Sequence, residues 1–338
     1  MSAPDTDYGS DKQGLIWGFL FEPGRPAVQI DTATAQAWLG HGAPEPARSF
    51  LWLHFALANA AAIRWMHSNL QLPQGFYDSL QDTVASTRLE QEESALVAVI
   101  HDVMYEADFD SSNVSSVTAC IEPRLLVSAR LRPLRSVDRL RAMVRNGAEF
   151  RSSVEVLAQL MREQANVLVD IVRKSTAQVD AIEDRLLARR VITDRRDLGT
   201  MRRALVRLRR LLAPEPAALF RLLNRPPAWI GDADLQDLRQ AGEEFSTAVS
   251  DSVELSERVR LLQEELTALV TEQTNRTLFV LTLVTVMALP INLVAGLFGM
   301  NVGGIPLANY QHGFLVIVVL LTLLTAVAAY VARGRQRD

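Results

Sequence analysis

Neutral polar residues recur at helical spacing through a charge-free segment near the C-terminus. No Asp, Glu, Lys or Arg lies between Arg276 and Arg333. Six residues with amide, hydroxyl or leucine side chains are spaced three or four positions apart, and we call them the stripe. They are Asn275, Leu278, Thr282, Thr285, Leu289 and Asn292. This spacing places the stripe on one helix face, and polar residues inside a membrane usually face a bundle interior or a water-filled path. The stripe therefore predicts the lining of an ion pathway.

Two positions of the stripe have a second interpretation. Asn292 follows Pro290 by two residues, so its amide could instead hydrogen-bond the backbone that the proline frees. Leu278 and Leu289 could be ordinary packing residues, or they could form hydrophobic rings that gate a pore by dewetting. The sequence leaves both alternatives open.

The stripe lies in one of two long apolar segments. Leu278–Phe298 and Phe314–Val331 are nearly continuous apolar runs, and a helix needs about 20 apolar residues to cross a bilayer. A hairpin buried in a soluble core is the alternative, but soluble helices of this length usually carry a charged face. We predict a first transmembrane helix over 277–299, an outer loop over 300–313, a second transmembrane helix over 314–332 and a basic tail over 333–338.

Arginines predict the orientation of this hairpin. Arg276 precedes the first segment and Arg333, Arg335 and Arg337 follow the second, whereas the loop between them has no basic residue. The positive-inside rule then places both termini in the cytoplasm. The first residues, MSAPDTDYGSDKQG, lack a basic start followed by an apolar core, so we expect no signal peptide there.

The charged region before the hairpin is expected to fold in two parts. Residues 1–150 contain short runs rich in aromatic and β-branched residues, at 14–22, 49–57, 94–106 and 115–130, which predict strands separated by helices. Residues 151–276 show helical periodicity, with a second helix near 194–212, a third at 217–224 and an uninterrupted helix from about Asp232 to Phe298. The predicted fold class is an α+β cytoplasmic domain, similar to an α/β/α sandwich, followed by long stalk helices and the hairpin.

Opposite charges are concentrated in two helical blocks. Arginines dominate Arg185–Arg210, and acids dominate Asp232–Glu265. We expect the two blocks to pair as antiparallel helices. The alternative of nucleic-acid binding is disfavoured by the net charge of −4 and by the membrane tether. A third block, 78–110, is acidic and is expected to form a solvated face, although it could attract cations.

The sequence lacks the residues that several kinds of metal, catalytic and cofactor site require. Cys120 is the only cysteine, which excludes a disulfide framework and a thiolate metal cluster. The histidines form no ligand-spaced pair; they are His41, His54, His67, His101 and His312. No nucleophilic triad, P-loop or dinucleotide motif occurs in a supporting context. We therefore expect no enzyme activity and no bound cofactor.

The break between the apolar segments reads FGMNVGGIP, from Phe298 to Pro306. Gly299 permits close backbone approach and can end a helix. Asn301, repeated around an axis, would present a ring of amide oxygens that can hydrogen-bond the water shell of a divalent ion. A bare zinc ion prefers His or Cys ligands. The neutral ring therefore favours passage of a hydrated ion.

Gly299-Met300-Asn301, after a long helix and a first apolar span and before a second, resembles the signature of the CorA metal-ion transporter superfamily. The stretch NRTLFVLTLVTVMALPINLVAGLFGMN is also similar to the first membrane helix of that family. The residues GMNVGGIP resemble the ZntB zinc-transport branch, since magnesium-transporting relatives usually carry acidic residues in this loop and this loop has none.

The resemblance implies a homopentamer with a funnel-shaped cytoplasmic region in the bacterial inner membrane. It implies Zn²⁺ uptake, which in the ZntB branch is associated with proton coupling, with Gly299, Met300 and Asn301 as the ion-recognition motif. His312 is the candidate first ligand for an incoming ion. The alternatives are a Mg²⁺, Co²⁺ or Ni²⁺ channel of the same superfamily, or a membrane-anchored scaffold or sensor whose hairpin only anchors it.

Overall fold

The computed structural model describes most of the chain in two compact units. The described residues are 9–40, 49–81, 86–104, 114–187, 194–300, 306 and 310–334. The first unit is Met1–Gln263 and the second is Glu264–Asp338. Three residues that the sequence analysis singled out, Asn301, Arg335 and Arg337, lie outside the described residues, as does His41.

A seven-stranded sheet forms the centre of the first unit. Its strands are β1 (Leu15–Phe21), β2 (Val28–Ile30), β3 (Phe50–Ala56), β4 (Arg88–Glu92), β5 (Ala95–Val103), β6 (Val114–Glu122) and β7 (Leu125–Arg130). Their order is β2-β1-β3-β7-β6-β5-β4. Neighbouring strands are antiparallel except β3 and β7, which pair in parallel with Leu51 opposite Leu125. The mixed sheet confirms the predicted α+β class.

The helices of the chain are α1 (Thr32–Gly40), α2 (Ala60–Asn69), α3 (Gln74–Gln81), α4 (Arg135–Arg145), α5 (Ser153–Leu187), α6 (Asp194–Leu212), α7 (Pro214–Asn224), α8 (Asp232–Phe298) and α9 (Gly313–Gly334). The long helix predicted from Asp232 to Phe298 is confirmed as α8, with 67 residues and Pro290 inside it. The third helix begins at Pro214 rather than at 217, because proline is favoured in the first turn of a helix.

Helices cover both faces of the sheet, as the predicted sandwich requires. Alternate side chains of β3 point to opposite faces, so Trp52 joins one buried cluster while Leu51 and Leu53 join another. The first cluster contains Leu157 of α5 and Phe245 of α8 together with residues of α4, α6 and α7. The second contains residues of α1, α2 and α3. Each sheet face therefore has its own apolar core.

Two predictions about strands were wrong. The run 115–130 is not one strand but the hairpin β6–β7, which turns at Pro123 and Arg124, because proline cannot donate to a continuing ladder. The edge strands β2 and β4 were not predicted. β4 reads RLEQE, and such charged sequences suit an edge that must not pair with another chain.

Helix α8 makes ion pairs that the two charged blocks did not predict. At the start of α8, Asp234 accepts from Arg151 at 3.1 Å, and Asp237 accepts from Arg162 at 3.2 Å. Further along α8, Arg258 donates to Asp180 of α5 at 2.6 Å and also to Glu183. These ion pairs of α8 are made with α5 and the turn before it, because α5 rather than α6 presents the complementary charge to α8.

Buried carboxylates join β5 to three helices. Asp102 accepts hydrogen bonds from the Ser136 amide of α4 at 2.8 Å and from the Ser136 hydroxyl at 2.7 Å. Glu215 of α7 accepts from the His101 amide at 2.6 Å and from Gln164 Nε2 of α5 at 3.1 Å. Burial raises the pKa of Asp102 to about 6 and raises the pKa of Glu215 well above its usual value.

The raised pKa of Asp102 predicts a pH-dependent stability. The unfolded carboxyl titrates near 4 and the folded one near 6, so the folded state binds more protons between these values. The contribution of Asp102 to the free energy of unfolding should therefore fall as pH rises from about 4 to 6, by an amount on the order of 2–3 kcal/mol. Thermal melts of the wild type and Asp102→Asn, followed by tryptophan fluorescence, measure this.

The melting temperatures of the wild type and the variant must be compared as a difference at each pH. Neutral His54 contributes stability that is lost as the pH falls, which is the opposite trend to that of Asp102. The melting temperature of Asp102→Asn should rise relative to that of the wild type across the same pH window. A difference that stays constant with pH would contradict the assignment.

Candidate functional site

The C-terminal part of α8 is an exposed apolar helix. The helix is long enough to cross a membrane and has a mean hydropathy of 2.3 over its most apolar window, none of which is buried. Leu281 and Leu293 are 62% and 60% exposed. This exposure contradicts the alternative of a hairpin buried in a soluble core. In α9 a shorter apolar stretch runs over Gly313–Val327.

The predicted stripe lies on this exposed helix. All six of its residues belong to α8 and are exposed in the chain, and Leu278 and Leu289 are 54% and 64% exposed. The two leucines therefore do not serve as core residues within the chain. A helix face with amides, hydroxyls and two leucines, set in an apolar surface, needs a polar or aqueous neighbour.

The threonine hydroxyls of the stripe donate to their own helix. Thr282 Oγ1 donates to the Leu278 carbonyl at 2.8 Å, and Thr285 Oγ1 donates to the Leu281 carbonyl at 2.9 Å. A hydroxyl has one hydrogen and two lone pairs, so each oxygen keeps only acceptor capacity toward its surroundings. Acceptors of this kind suit the water shell of a cation, whose water hydrogens point outward.

The asparagine amides of the stripe behave differently. Asn275 and Asn292 are exposed, and neither makes a hydrogen bond within the described part of the chain. The alternative in which Asn292 bonds the backbone freed by Pro290 is therefore not what the structure contains. An amide left without a partner in an apolar span is costly, so Asn292 needs water, an ion or another copy of the helix.

The same stripe continues toward the charged part of α8, which the sequence analysis missed. Thr271 Oγ1 donates to the Thr267 carbonyl and Thr274 Oγ1 to the Val270 carbonyl, each at 2.8 Å. Steps of three and four residues connect Thr271 and Thr274 to Leu278, so the spacing signal was present.

The apolar helix ends at the predicted motif. The Gly299 amide donates to the Ala295 carbonyl at 3.0 Å, and the Met300 amide donates to the Leu297 carbonyl at 3.4 Å. A Cβ at Gly299 would lie 3.1 Å from that Ala295 carbonyl oxygen, which is a tight contact. Gly299 ends the helix without the left-handed backbone typical of such glycines. Met300 is 52% exposed.

His312 lies immediately before α9. Its ring is exposed and sits 6.0 Å from the ring of Tyr310, and its carbonyl accepts the Val316 amide at 3.1 Å in the first turn of the helix. The position leaves the imidazole accessible, as a first ligand for an incoming ion requires.

Two other histidines, His54 and His67, have structural roles. His54 is buried, stacks on Trp17 at 4.0 Å and bonds the Ser128 hydroxyl at 2.7 Å, and burial holds its pKa well below the usual value. His67 stacks on Tyr77 at 3.7 Å. Within the described ranges, no group of three His, Cys, Asp or Glu residues could hold a metal ion.

Comparison with known proteins relates this geometry to one family. Residues 47–333 match the family described as "CorA-like Mg2+ transporter protein". The chain belongs to this CorA-like family. The resemblance that the Gly-Met-Asn motif indicated is thereby confirmed.

Named relatives match most of this CorA-like chain. It is 27% identical to "Divalent cation transporter CmaX" of Pseudomonas aeruginosa, over 92% of this chain and 93% of that protein. It is 24% identical to "Zinc transport protein ZntB" of Pectobacterium atrosepticum, over 82% of this chain and 85% of that protein.

Two solved structures share the fold. The full-length CmaX structure matches with a TM-score of 0.81 and 26% identity, covering 98% of this chain and 100% of that one. The complete CorA magnesium transporter structure from Methanocaldococcus jannaschii matches with a TM-score of 0.75 and 17% identity, covering 93% of this chain and 96% of that one.

Cysteine accessibility tests whether the stripe of this CorA-like chain faces water. Successive helical residues are about 100° apart, so Ile291 is a matched neighbour of Asn292 that points away from the stripe. In membranes, a charged methanethiosulfonate should label Asn292→Cys and leave Ile291→Cys unlabelled. The native Cys120 provides a silent background, because it is buried and burial raises its pKa. Equal labelling of both positions would contradict a lining role.

Proposed function

We propose that this CorA-like chain is a homopentameric transporter that takes up divalent cations, with Zn²⁺ as substrate, across the bacterial inner membrane. The observation that carries the proposal is the uncharged stripe on α8, where hydroxyls with only acceptor capacity and the unbonded amide of Asn292 lie exposed in an apolar span. The amide of Asn275 lies on the same face just before that span. Family membership and the CmaX and ZntB relatives support transport of divalent cations.

Several copies are needed to use the stripe. One or two helices cannot enclose a path for an ion, whereas copies around a closed axis can each turn the same helix face inward. In that arrangement the stripe residues become rings. Leu278 and Leu289 become hydrophobic constrictions, and Thr282, Thr285 and Asn292 supply oxygens between and beyond them.

The chemistry of the rings favours a hydrated ion. The stripe has no carboxylate, imidazole or thiolate, so it cannot replace the water shell of a zinc ion with strong ligands. Amide and hydroxyl oxygens can instead accept hydrogen bonds from that shell and release it again. Asn301 would add an amide ring beyond the end of α8, where the last helix carbonyls contribute partial negative charge.

The proposal includes a membrane topology with two spans. The apolar stretch of α9 serves as the second span, and the arginines at its end, with Arg276 before the first span, hold both termini in the cytoplasm. The loop with Asn301 and His312 is then on the outer side. His312 would meet an incoming ion first.

A second candidate substrate set is Mg²⁺, Co²⁺ or Ni²⁺. The description of the family and the CorA structure name magnesium, and the CmaX description names divalent cations in general. Zinc is preferred on the likeness to the ZntB branch and on the neutral loop. Proton coupling, if it operates, must use groups outside the charge-free span, such as His312 or cytoplasmic acids.

Metal flux in proteoliposomes tests the substrate and the Asn301 ring together. The wild type should transport Zn²⁺ faster than Mg²⁺, Co²⁺ or Ni²⁺. Asn301→Ala should slow the initial rate by about tenfold or more, because a ring of amides is lost. Asn309→Ala removes an amide from the same loop and should leave the rate unchanged.

Each alternative gives a different pattern of flux. A faster rate for Mg²⁺ would select the second substrate set, and normal zinc flux in Asn301→Ala would remove Asn301 from the pathway. Zinc flux that does not respond to an imposed pH gradient would exclude proton coupling. A scaffold or sensor would pass no metal at all.

The oligomer is tested separately. Native mass spectrometry of the detergent-purified protein should give a particle five times the 37.5 kDa mass of the chain. A monomer or dimer under conditions that retain flux would contradict the axial pathway.

A further inference from the structure

A basic groove lies between α6 and α8 in the first unit. Its lining residues are Gly199, Arg202, Arg203, Val206, Arg207, Arg210, Leu211 and Gln263. They enclose about 810 Å³, within the usual range for small-molecule sites of about 300–1,000 Å³. The four arginines are one, four and three residues apart along α6, so they lie on one side of that helix.

The guanidinium groups of this groove have no carboxylate partners in the described chain. Arg202 donates to Gln263 Oε1 at 3.2 Å, and Arg203 donates to Thr200 Oγ1 at 3.1 Å. Arg207 and Arg210 make no ion pair with any described residue. Arginine stays charged under all physiological conditions, so the groove concentrates four positive charges that repel one another.

Gly199 leaves the floor of the groove open. It occupies the interior of α6, where glycine is less stable than alanine by about 0.5–1 kcal/mol. A Cβ there would meet only Gln263 Nε2 at 3.9 Å and Arg203 Nη1 at 4.0 Å, so packing does not require the glycine. The point above Gly199 therefore lies between two nitrogen donors and remains empty of side chain.

The side-chain amide of Gln263 is oriented by its hydrogen bond with Arg202. Because its Oε1 accepts from Arg202, its Nε2 is the end directed toward Gly199. The groove is thus lined by nitrogen atoms from both helices, and Val206 and Leu211 supply an apolar part. Val206 is 49% exposed.

We propose that this groove binds a compact polyphosphate anion, such as inorganic triphosphate or the triphosphate of a nucleotide. Guanidinium groups match phosphate oxygens with paired hydrogen bonds, and several phosphates in one chain would neutralise several arginines at once. The arginine cluster, the concave shape and the open floor at Gly199 all fit such a ligand. The site is independent of the transport pathway proposed above.

Calorimetry with the full-length protein in detergent tests the site, using sodium triphosphate and ATP as probes at physiological salt. Both should bind the wild type and raise its melting temperature. Arg203→Gln with Arg207→Gln should weaken binding by about tenfold or more. Arg209→Gln, an exposed arginine of α6 outside the groove, is the matched control and should bind normally.

A shape variant separates charge from geometry. Gly199→Leu keeps all four arginines and replaces glycine by a better helix former, so the protein should remain folded while the groove is filled and binding is lost. Equal affinity for the two probes would support recognition of the phosphate chain alone. Tighter ATP binding would support an added contact of the nucleoside with Val206 and Leu211.

The absence of saturable binding by either probe would overturn the proposal. Binding that persists in both the arginine double variant and Gly199→Leu would also overturn it. If the wild type binds no anion and the double variant Arg203→Glu with Arg207→Glu changes the oligomeric mass, the arginines contact a second copy of the chain instead.

Discussion

The absence of water in a bilayer core is the constraint on which the functional part of this chain depends. Every backbone polar group there must be satisfied within the protein, and a helix does this alone. In α8 the threonine hydroxyls also turn inward to carbonyls of their own helix. What remains exposed in the span is an apolar surface with a narrow line of acceptor oxygens and the amide of Asn292. That amide makes no hydrogen bond to any described residue.

The same helix serves two environments along its length. Leu238, Ala241 and Phe245 of α8 are buried in the core of the first unit, where charged pairs with α5 flank them. Beyond Arg276 the charges stop and the surface becomes apolar on nearly every side. Because the helix continues across this change, the charge-free segment begins on a helical frame that is already formed. The spacing of the stripe therefore persists from Thr271 to Asn292.

The distribution of charge in the first unit follows from which helices meet. Arg258 of α8 finds Asp180 and Glu183 on α5, and the acids at the start of α8 find Arg151 and Arg162. These partners satisfy the interface between α5 and α8. Four arginines of α6 line a groove and make no ion pair with a described carboxylate, so their charge is available for an anion from outside the chain.

The sequence by itself determined the features that depend on local pattern. The absence of charge over 277–332 sets the apolar span, and helical spacing places Thr282, Thr285 and Asn292 on one face. The lack of a proline between Pro227 and Pro290 lets α8 continue unbroken into that span. These conclusions hold because helix periodicity and hydropathy are properties of neighbouring residues.

Only the tertiary structure decided the features that depend on which distant residues meet. Composition alone suggested that the arginines of α6 pair with the acids of α8, yet Asp234 and Asp237 of α8 pair with Arg151 and Arg162 instead. The edge strand β4 carries a charged sequence and becomes a strand only because β5 is beside it. From the sequence, the amide of Asn292 could bond either the backbone freed by Pro290 or a group outside its own helix. In the structure it makes no hydrogen bond to a described residue. The ion pairs of α8 in particular join residues that are far apart along the chain, and local pattern does not encode them.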